Sequence, residues 1–530
     1  MSYVDGIVLD QMAEFAGALS ERPALICGGR SLDWRSLDQK SNQIAHGLLS
    51  LGLKKGDRAA ILSDTMIEYY LCVVGAAKAG ISIVPFPTMT SPDALAGMLS
   101  DSEAKIVFSC ATRKDVIDNL YAENPALAKC HLFSFDYDVG RDEEDGWRSF
   151  EGWFHQFSAD RPTVKILPED EFNIIYSSGT TGTPKGIVHS NAFRSGDAVS
   201  MAGAGFFQEA VTVITTALYS NFSLYAFLAA LQTGGTAVVL PKFSTQACLE
   251  LCEKIQPDNI FLVPVQCERL LADAAFGDFD LGTRTKKWVA GSPMTAKLKL
   301  AILGRWPGEL VEMYGMTEGT PSSSLAVHNH PDKLDSVGRP SDGCIIRILD
   351  ENDADVHVGD VGEIVGRGPA MMSNYNNRPD LMNDLEWFDA SGARYFRSGD
   401  LGYLDKDGFL YITGRKKDMI ISGGFNVYPK DLEDVLCTHP AVEETAVVGV
   451  FSEIWGETPV GFVVLHANAE LELNDLLSWA NERLGKMQRL DAVLSIDALP
   501  RGALGKVLKK DLRAGYDKVT TGKIYDKTAG

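Results

Sequence analysis

The chain has no basic surplus: 50 Lys and Arg face 71 Asp and Glu over 530 residues, a formal net charge of -21. General nucleic-acid binders and binders of anionic membranes need a basic footprint, so this balance argues against both. It leaves room for a site that grips one small anion, which takes only a few local cations. A disulfide framework is missing as well. Cys27, Cys72, Cys110, Cys130, Cys248, Cys252, Cys267, Cys344 and Cys437 are odd in number, and none form C-x-x-C. Cys248 and Cys252 can share a helix face, but without His or Cys neighbours they read as buried thiols rather than a metal site. Reduced thiols suit a cytoplasmic protein. The opening MSYVDGIVLDQ lacks the basic and apolar regions of a signal peptide. No uninterrupted apolar run reaches the ~18 residues of a membrane span, and no repeat period is apparent.

The most informative stretch is Tyr176-Ser-Ser-Gly-Thr-Thr-Gly-Thr-Pro-Lys-Gly-Ile187, with three glycines, five Ser/Thr hydroxyls and one lysine. Glycines let backbone fold closely around a ligand, and loop N–H groups can point at anionic oxygens. Lys185 adds a point charge suited to phosphate. A flexible Ser/Gly/Thr linker is the plainer reading, but a linker needs neither the lysine nor the flanking apolar Ile174-Ile175. The common phosphate loop G-x-x-x-x-G-K-[ST] does not fit either, because Gly182 and Lys185 are too far apart and Gly186 follows the lysine.

With 45% hydrophobic residues, a chain this long exceeds one ordinary core and predicts at least two domains. Helical and strand patterns alternate through the first part. A helix is expected over 38–51 and strands over 58–63, 104–109, 236–240, 259–263 and 287–290. Segment 69–86 reads as a buried helix, a turn at Gly80 and a strand. This alternation predicts parallel α/β sheets with helices on both faces. After about residue 335 the strands become close-set with Asp/Gly turns, as in an antiparallel barrel or sandwich. From residue 417 onward a small α+β domain is expected, with a helix over 429–437, strands over 444–450 and 461–466, and a helix over 473–484. The lysine-rich tail from Tyr516 is expected to fray.

Four further fragments can carry chemistry, although each also has a plain structural reading. Tyr314-Gly-Met-Thr-Glu318 places a carboxylate and hydroxyl just past a strand, where a hard cation can sit near phosphate; an ordinary turn is the alternative. Tyr395-Phe-Arg-Ser-Gly-Asp-Leu401 puts Asp400 in a turn, able to accept from a ribose diol or to cap the turn. Gly414-Arg-Lys-Lys-Asp418 is a cationic run, or a solvated linker. Leu499-Pro-Arg-Gly-Ala-Leu-Gly-Lys-Val507 sets Lys506 after a Gly/Pro-rich loop, swinging onto a substrate or merely exposed.

Together and in this order, YSSGTTGTPKG, YGMTE, YFRSGDLG, GRKKD and PRGALGK resemble the adenylate-forming superfamily of acyl- and aryl-CoA ligases, peptide-synthetase adenylation domains and beetle luciferases. The resemblance covers nearly the whole chain and is greatest to AMP-forming carboxylate–CoA ligases. It implies an N-terminal domain over 1–416, with two α/β subdomains and a β-barrel from about 335, and a mobile C-terminal lid over 417–530 hinged at Lys417. It also implies roles. Ser177, Ser178, Gly179, Thr180, Thr181, Gly182, Thr183 and Lys185 would wrap the ATP phosphates, and Glu318 with Thr180 would hold Mg²⁺. Gly291, Ser292 and Pro293, with Glu312, Met313 and Tyr314, would frame the adenine, and Gly315, Met316 and Thr317 would complete the nucleotide site. Asp400 and Arg415 would bind ribose, and Lys506 would bridge the carboxylate and α-phosphate. Ser422, Gly423 and Gly424 would line the coenzyme A thiol tunnel. Tyr219, Ser220, Asn221, Phe222, Gly291, Gly315, Met316 and Gly338 would form the acyl pocket.

The chain departs from the usual pattern at Gly502, where threonine is common, and at Ser220, where a bulky residue often closes the pocket. The small Ser220 favours an aryl, cinnamate-like or medium-chain acid over acetate. Loading a carrier-protein phosphopantetheine is the alternative to free coenzyme A, and a nucleotide-binding regulator without catalysis is the remote one. A homodimer is expected from the resemblance alone.

Overall fold

The computed structural model describes residues 8–124, 130–136, 146–177, 184–201, 204–422, 425–467, 469, 471–486, 488–502 and 506–520. The chain divides into two compact units. One comprises Met1–Leu334, Pro340–Ile345 and Gly366–Phe396; the other comprises Asp335–Arg339, Ile346–Val365 and Arg397–Gly530.

The first unit is built on two mixed sheets. In one, neighbouring strands run Ser322–Ala326, Leu310–Gly315, Lys286–Val289, Asn259–Leu262, Val211–Ile214, Thr236–Val239, Pro23–Cys27 and Arg30–Asp33. The other is eight-stranded, in the order Asn374–Tyr375, Lys185–Ser190, Glu171–Ser177, Ser82–Pro85, Arg58–Leu62, Ile106–Ser109, His131–Ser134 and Trp147–Ser149. Central pairs are parallel, as the alternating pattern predicts. Antiparallel partners close the edges, as where Leu310–Gly315 meets Ser322–Ala326 and where Glu171–Ser177 meets Lys185–Ser190. Central strands such as Ile106–Ser109 are buried throughout, which is why they are continuous apolar runs rather than alternating ones.

Helix Ile67–Ala79 is buried at every position. Apart from Glu68 and Lys78 its sequence is apolar on every face, so no amphipathic stripe marks it. Gly80 ends it at φ 69°, a left-handed cap where the sequence predicts a turn. Lys78 on this helix is buried, with its ammonium 2.6 Å from Asp38 Oδ1 and 2.8 Å from Asn42 Oδ1. The core joins this helix to Asn221–Gln232, with the Tyr70 and Phe227 rings edge to face at 4.8 Å.

In the second unit, Val442–Ser452 and Gly456–Leu465 form a long antiparallel pair, and Ala492–Ser495 adds in parallel. Helices Pro429–Cys437 and Leu473–Asn481 contribute Leu432, Leu436 and Leu476 to a core with Val447 and Val463. One expectation is corrected here. Asp400 lies inside strand Arg394–Leu404 rather than in a turn; Gly399, at φ 68°, supplies the bend that the Ser-Gly-Asp sequence suggested. Helix Lys509–Thr520 runs through Tyr516, which packs beside the Val448, Phe462 and Leu512 cluster; residues 521–530 of the tail lie outside the described residues. Among the described residues, no helix is long and apolar enough to cross a membrane.

Candidate active site

Within the first unit, Ser177 and Lys185 are cross-strand partners. The glycine-and-hydroxyl stretch is therefore the connection between two antiparallel strands. Ser178, Gly179, Thr180, Thr181, Gly182 and Thr183 lie outside the described residues.

The Lys185 ammonium lies 5.4 Å from the centroid of the Tyr375 ring, and the Tyr375 hydroxyl donates to Glu318 Oε1 at 2.6 Å. Burial, and then the Glu318 charge, push the Tyr375 phenol well above its ordinary pKa, so it stays a donor. The lysine of one sequence fragment and the carboxylate of another thus meet on a single tyrosine. Sequence reasoning missed Tyr375. It sits in the two-residue strand Asn374–Tyr375, opposite Ile187, and only that long-range pairing reveals it.

Glu318 is held from its backbone too. Its carbonyl accepts from Met372 N at 3.0 Å, and Gly319 N–H bonds Met316 O at 2.9 Å. Gly319 adopts φ 106°, and a Cβ there would lie 2.2 Å from the Ala370 carbonyl oxygen. Only glycine allows so close an approach.

The two segments expected around adenine also come together. Glu312, on strand Leu310–Gly315, is buried and accepts from the Met294 backbone, just beyond Gly291, Ser292 and Pro293. Burial raises the Glu312 pKa, and the Lys299 ammonium, 2.5 Å away, opposes that rise. Met313, Tyr314 and Gly315 continue the strand, paired with Ser324, Ser323 and Ser322, and Met316 and Thr317 follow it. Tyr219 and Ser220 precede helix Asn221–Gln232, and the Phe222 ring lies 4.8 Å from Phe261.

The second unit gathers another set of groups. Asp400 and Arg415 are cross-strand partners, with Arg415 Nε 3.1 Å from Asp400 Oδ1. Arg501 and Val507 form an antiparallel bridge, and Gly502 N–H donates to Lys506 O at 2.8 Å; residues 503–505 lie outside the described residues. Lys506 is an exposed residue, yet its ammonium sits among crowded neighbours. Burial of that group, then repulsion from Arg415 and Lys417, lower its pKa to about 8, against the pull of Asp400 and Asp418. Lys417 is lowered as well, first by burial and then by Arg415. It lies in the short turn Lys416–Asp418, where Lys416 pairs with Glu363 at 2.9 Å. Lys506, distant in sequence, is thereby within electrostatic reach of both candidate ribose residues. Gly338 belongs to this unit, at φ 86°. Ser422 is buried opposite Phe425, and Gly423 and Gly424 lie outside the described residues.

The fold, two mixed sheets with a small C-terminal α+β part, is that of the adenylate-forming enzymes. The AMP-binding enzyme family matches residues 12–376, and its C-terminal domain matches residues 431–506. The chain belongs to that family, and it is an acid–thiol ligase of the AMP-forming kind. It is 31% identical over 509 residues to the 2-succinylbenzoate–CoA ligase of Bacillus licheniformis, covering 95% of this chain and 98% of that one. It is 29% identical to the fatty acid–acyl-carrier-protein ligase ScoC of Streptomyces coeruleorubidus, over 93% of each chain. Among solved structures, ATP-bound MatB from Rhodopseudomonas palustris superposes with a TM-score of 0.85 at 26% identity, over 96% of this chain and 99% of that one.

Proposed function

We propose that the enzyme activates an aryl, cinnamate-like or medium-chain carboxylic acid as its acyl adenylate and passes the acyl group to the thiol of coenzyme A. The observation that carries this reading is the Asp400–Arg415 pair, with the Lys506 cation within electrostatic reach of it. A carboxylate resists nucleophiles because it is already negative. Attack by its oxygen on the ATP α-phosphorus releases pyrophosphate and makes AMP the later leaving group. The step brings two anions together, so a cation placed where charge develops lowers the barrier. Lys506 fills that role, Asp400 accepts from the ribose hydroxyls, and Lys185 and the 177–183 loop hold the outer phosphates. Glu318 suits a hard divalent cation: it offers carboxylate oxygen, kept in place by Tyr375. When bound, Mg²⁺ would neutralise charge on the triphosphate.

In the second step the thiol sulfur attacks the acyl carbonyl and AMP departs. Ser422, Gly423 and Gly424 line its approach, and rotation about Lys417 clears Lys506 from the path. The acid lies against Tyr219, Ser220, Asn221, Phe222 and Met316, where the small Ser220 leaves room. Loading of a carrier protein is the second reading, favoured by the likeness to ScoC. An acid panel of acetate, octanoate, benzoate and 4-coumarate, scored by pyrophosphate release, tests the acid class. Preference for acetate overturns it. Turnover with free coenzyme A, compared with a phosphopantetheinylated carrier, decides the acceptor.

A further inference from the structure

A buried polar chain that the ligase chemistry above does not use starts at Asn221, one of the residues proposed for the acid pocket. His189, Arg194 and Asn173 are all fully buried. Arg194 Nη1 donates to Asn221 Oδ1 at 2.8 Å, and its Nε donates to Asn173 Oδ1 at 2.8 Å. His189 Nδ1 lies 2.9 Å from Arg194 Nη2 and 3.1 Å from Asn173 Nδ2. Its Nε2 lies 2.7 Å from the Thr317 carbonyl oxygen.

The chemistry of these partners fixes the tautomer. A guanidinium and an amide nitrogen can only donate, so Nδ1 must accept. The ring proton is then on Nε2 and is given to Thr317 O. Burial and the Arg194 charge hold the His189 pKa well below its ordinary value, consistent with a neutral ring. Every bond along the path from Asn221 to Thr317 therefore has one defined direction. The path ends one residue before Glu318, and the Phe193 ring, 4.1 Å from that of His189, also packs against Gly319.

We propose that Arg194 and His189 are positioning residues forming a relay, which couples filling of the acid pocket at Asn221 to the grip on Mg-ATP at Glu318. The inference rests on the proposed ligase reading. An acid lodged against Asn221 steadies its amide, Arg194 and His189 follow, and the Thr317–Glu318 turn is held for the nucleotide. Such a device would favour ATP engagement when an acid is present. Coupling of this kind is reciprocal, and values of about 5–150-fold are typical.

The test is the KM for Mg-ATP in pyrophosphate exchange, at saturating and at sub-saturating acid, using the best acid of octanoate, benzoate and 4-coumarate. The wild-type enzyme should show a KM at least about fivefold lower when acid saturates. His189→Gln keeps one acceptor and one N–H donor and should retain that ratio. His189→Leu and the milder Asn221→Ala should bring it close to one. Asn221 is only partly buried, so that variant tests the relay even where His189→Leu fails to fold. An absent ratio in the wild type, or an unchanged ratio in Asn221→Ala, overturns the relay. Absence of exchange with every acid instead overturns the ligase reading beneath it.

Discussion

Lys506 carries a charge that modest alkalinity removes. With its pKa lowered to about 8, it is protonated below that pH and neutral above it. The kcat/KM for adenylation should therefore fall as pH rises through about 8. Lys506→Arg, slower but charged at all accessible pH, should lose that alkaline limb. A pH profile of pyrophosphate release checks both. Lys506→Ala should cut adenylation by about 10²–10³, the usual loss for one electrostatic donor, yet spare thioester formation from a supplied acyl adenylate. Tyr375 offers a second residue-scale expectation. Tyr375→Phe removes a hydrogen bond to a charged group, worth about 1.5–3 kcal/mol, and should raise the Mg²⁺ needed for half-maximal rate about tenfold or more. A magnesium titration at fixed ATP measures it, and an unchanged requirement contradicts a role for Tyr375 in holding Glu318.

The elements show which parts of the site the sequence made legible. Strand Leu310–Gly315, helix Pro429–Cys437 and the Gly80 cap follow from local pattern and emerge where expected, because apolar period and turn chemistry are near-neighbour properties. Antiparallel edges such as Ser322–Ala326 were not legible, since that strand has little apolar content and depends on its partner. Tyr375 and the Arg194–His189 chain were missed for the same reason: Tyr375 meets Glu318, and His189 meets Thr317, only through the tertiary fold, with no local signature. The buried Lys299–Glu312 pair belongs to this class. It ties helix Ala296–Arg305 to the strand that frames the candidate adenine site. Lys299→Met leaves Glu312 buried without its partner, a change that typically costs about 3–5 kcal/mol. A thermal melt should show a drop of several degrees or more, and a melt within one degree of wild type would show the pair to be dispensable.

At the scale of the whole molecule, two units carry complementary groups: Lys185, Tyr375 and Glu318 in one, and Asp400, Arg415 and Lys506 in the other. The proposal requires both sets to act on one ATP and then lets the thiol in. The turn at Lys417 is where the motion is assigned. Lys417→Pro fixes φ near –65° and should leave one half-reaction largely intact while suppressing the other; unchanged overall turnover would argue against rotation there. The central claim, activation of an acid through AMP, has a direct test that needs no thiol. Enzyme, Mg-ATP and radiolabelled pyrophosphate are incubated with each acid, and label is followed into ATP. The account predicts acid-dependent labelling that Lys506→Ala slows by about 10²–10³; labelling independent of acid, or equal in Lys506→Ala, would contradict it.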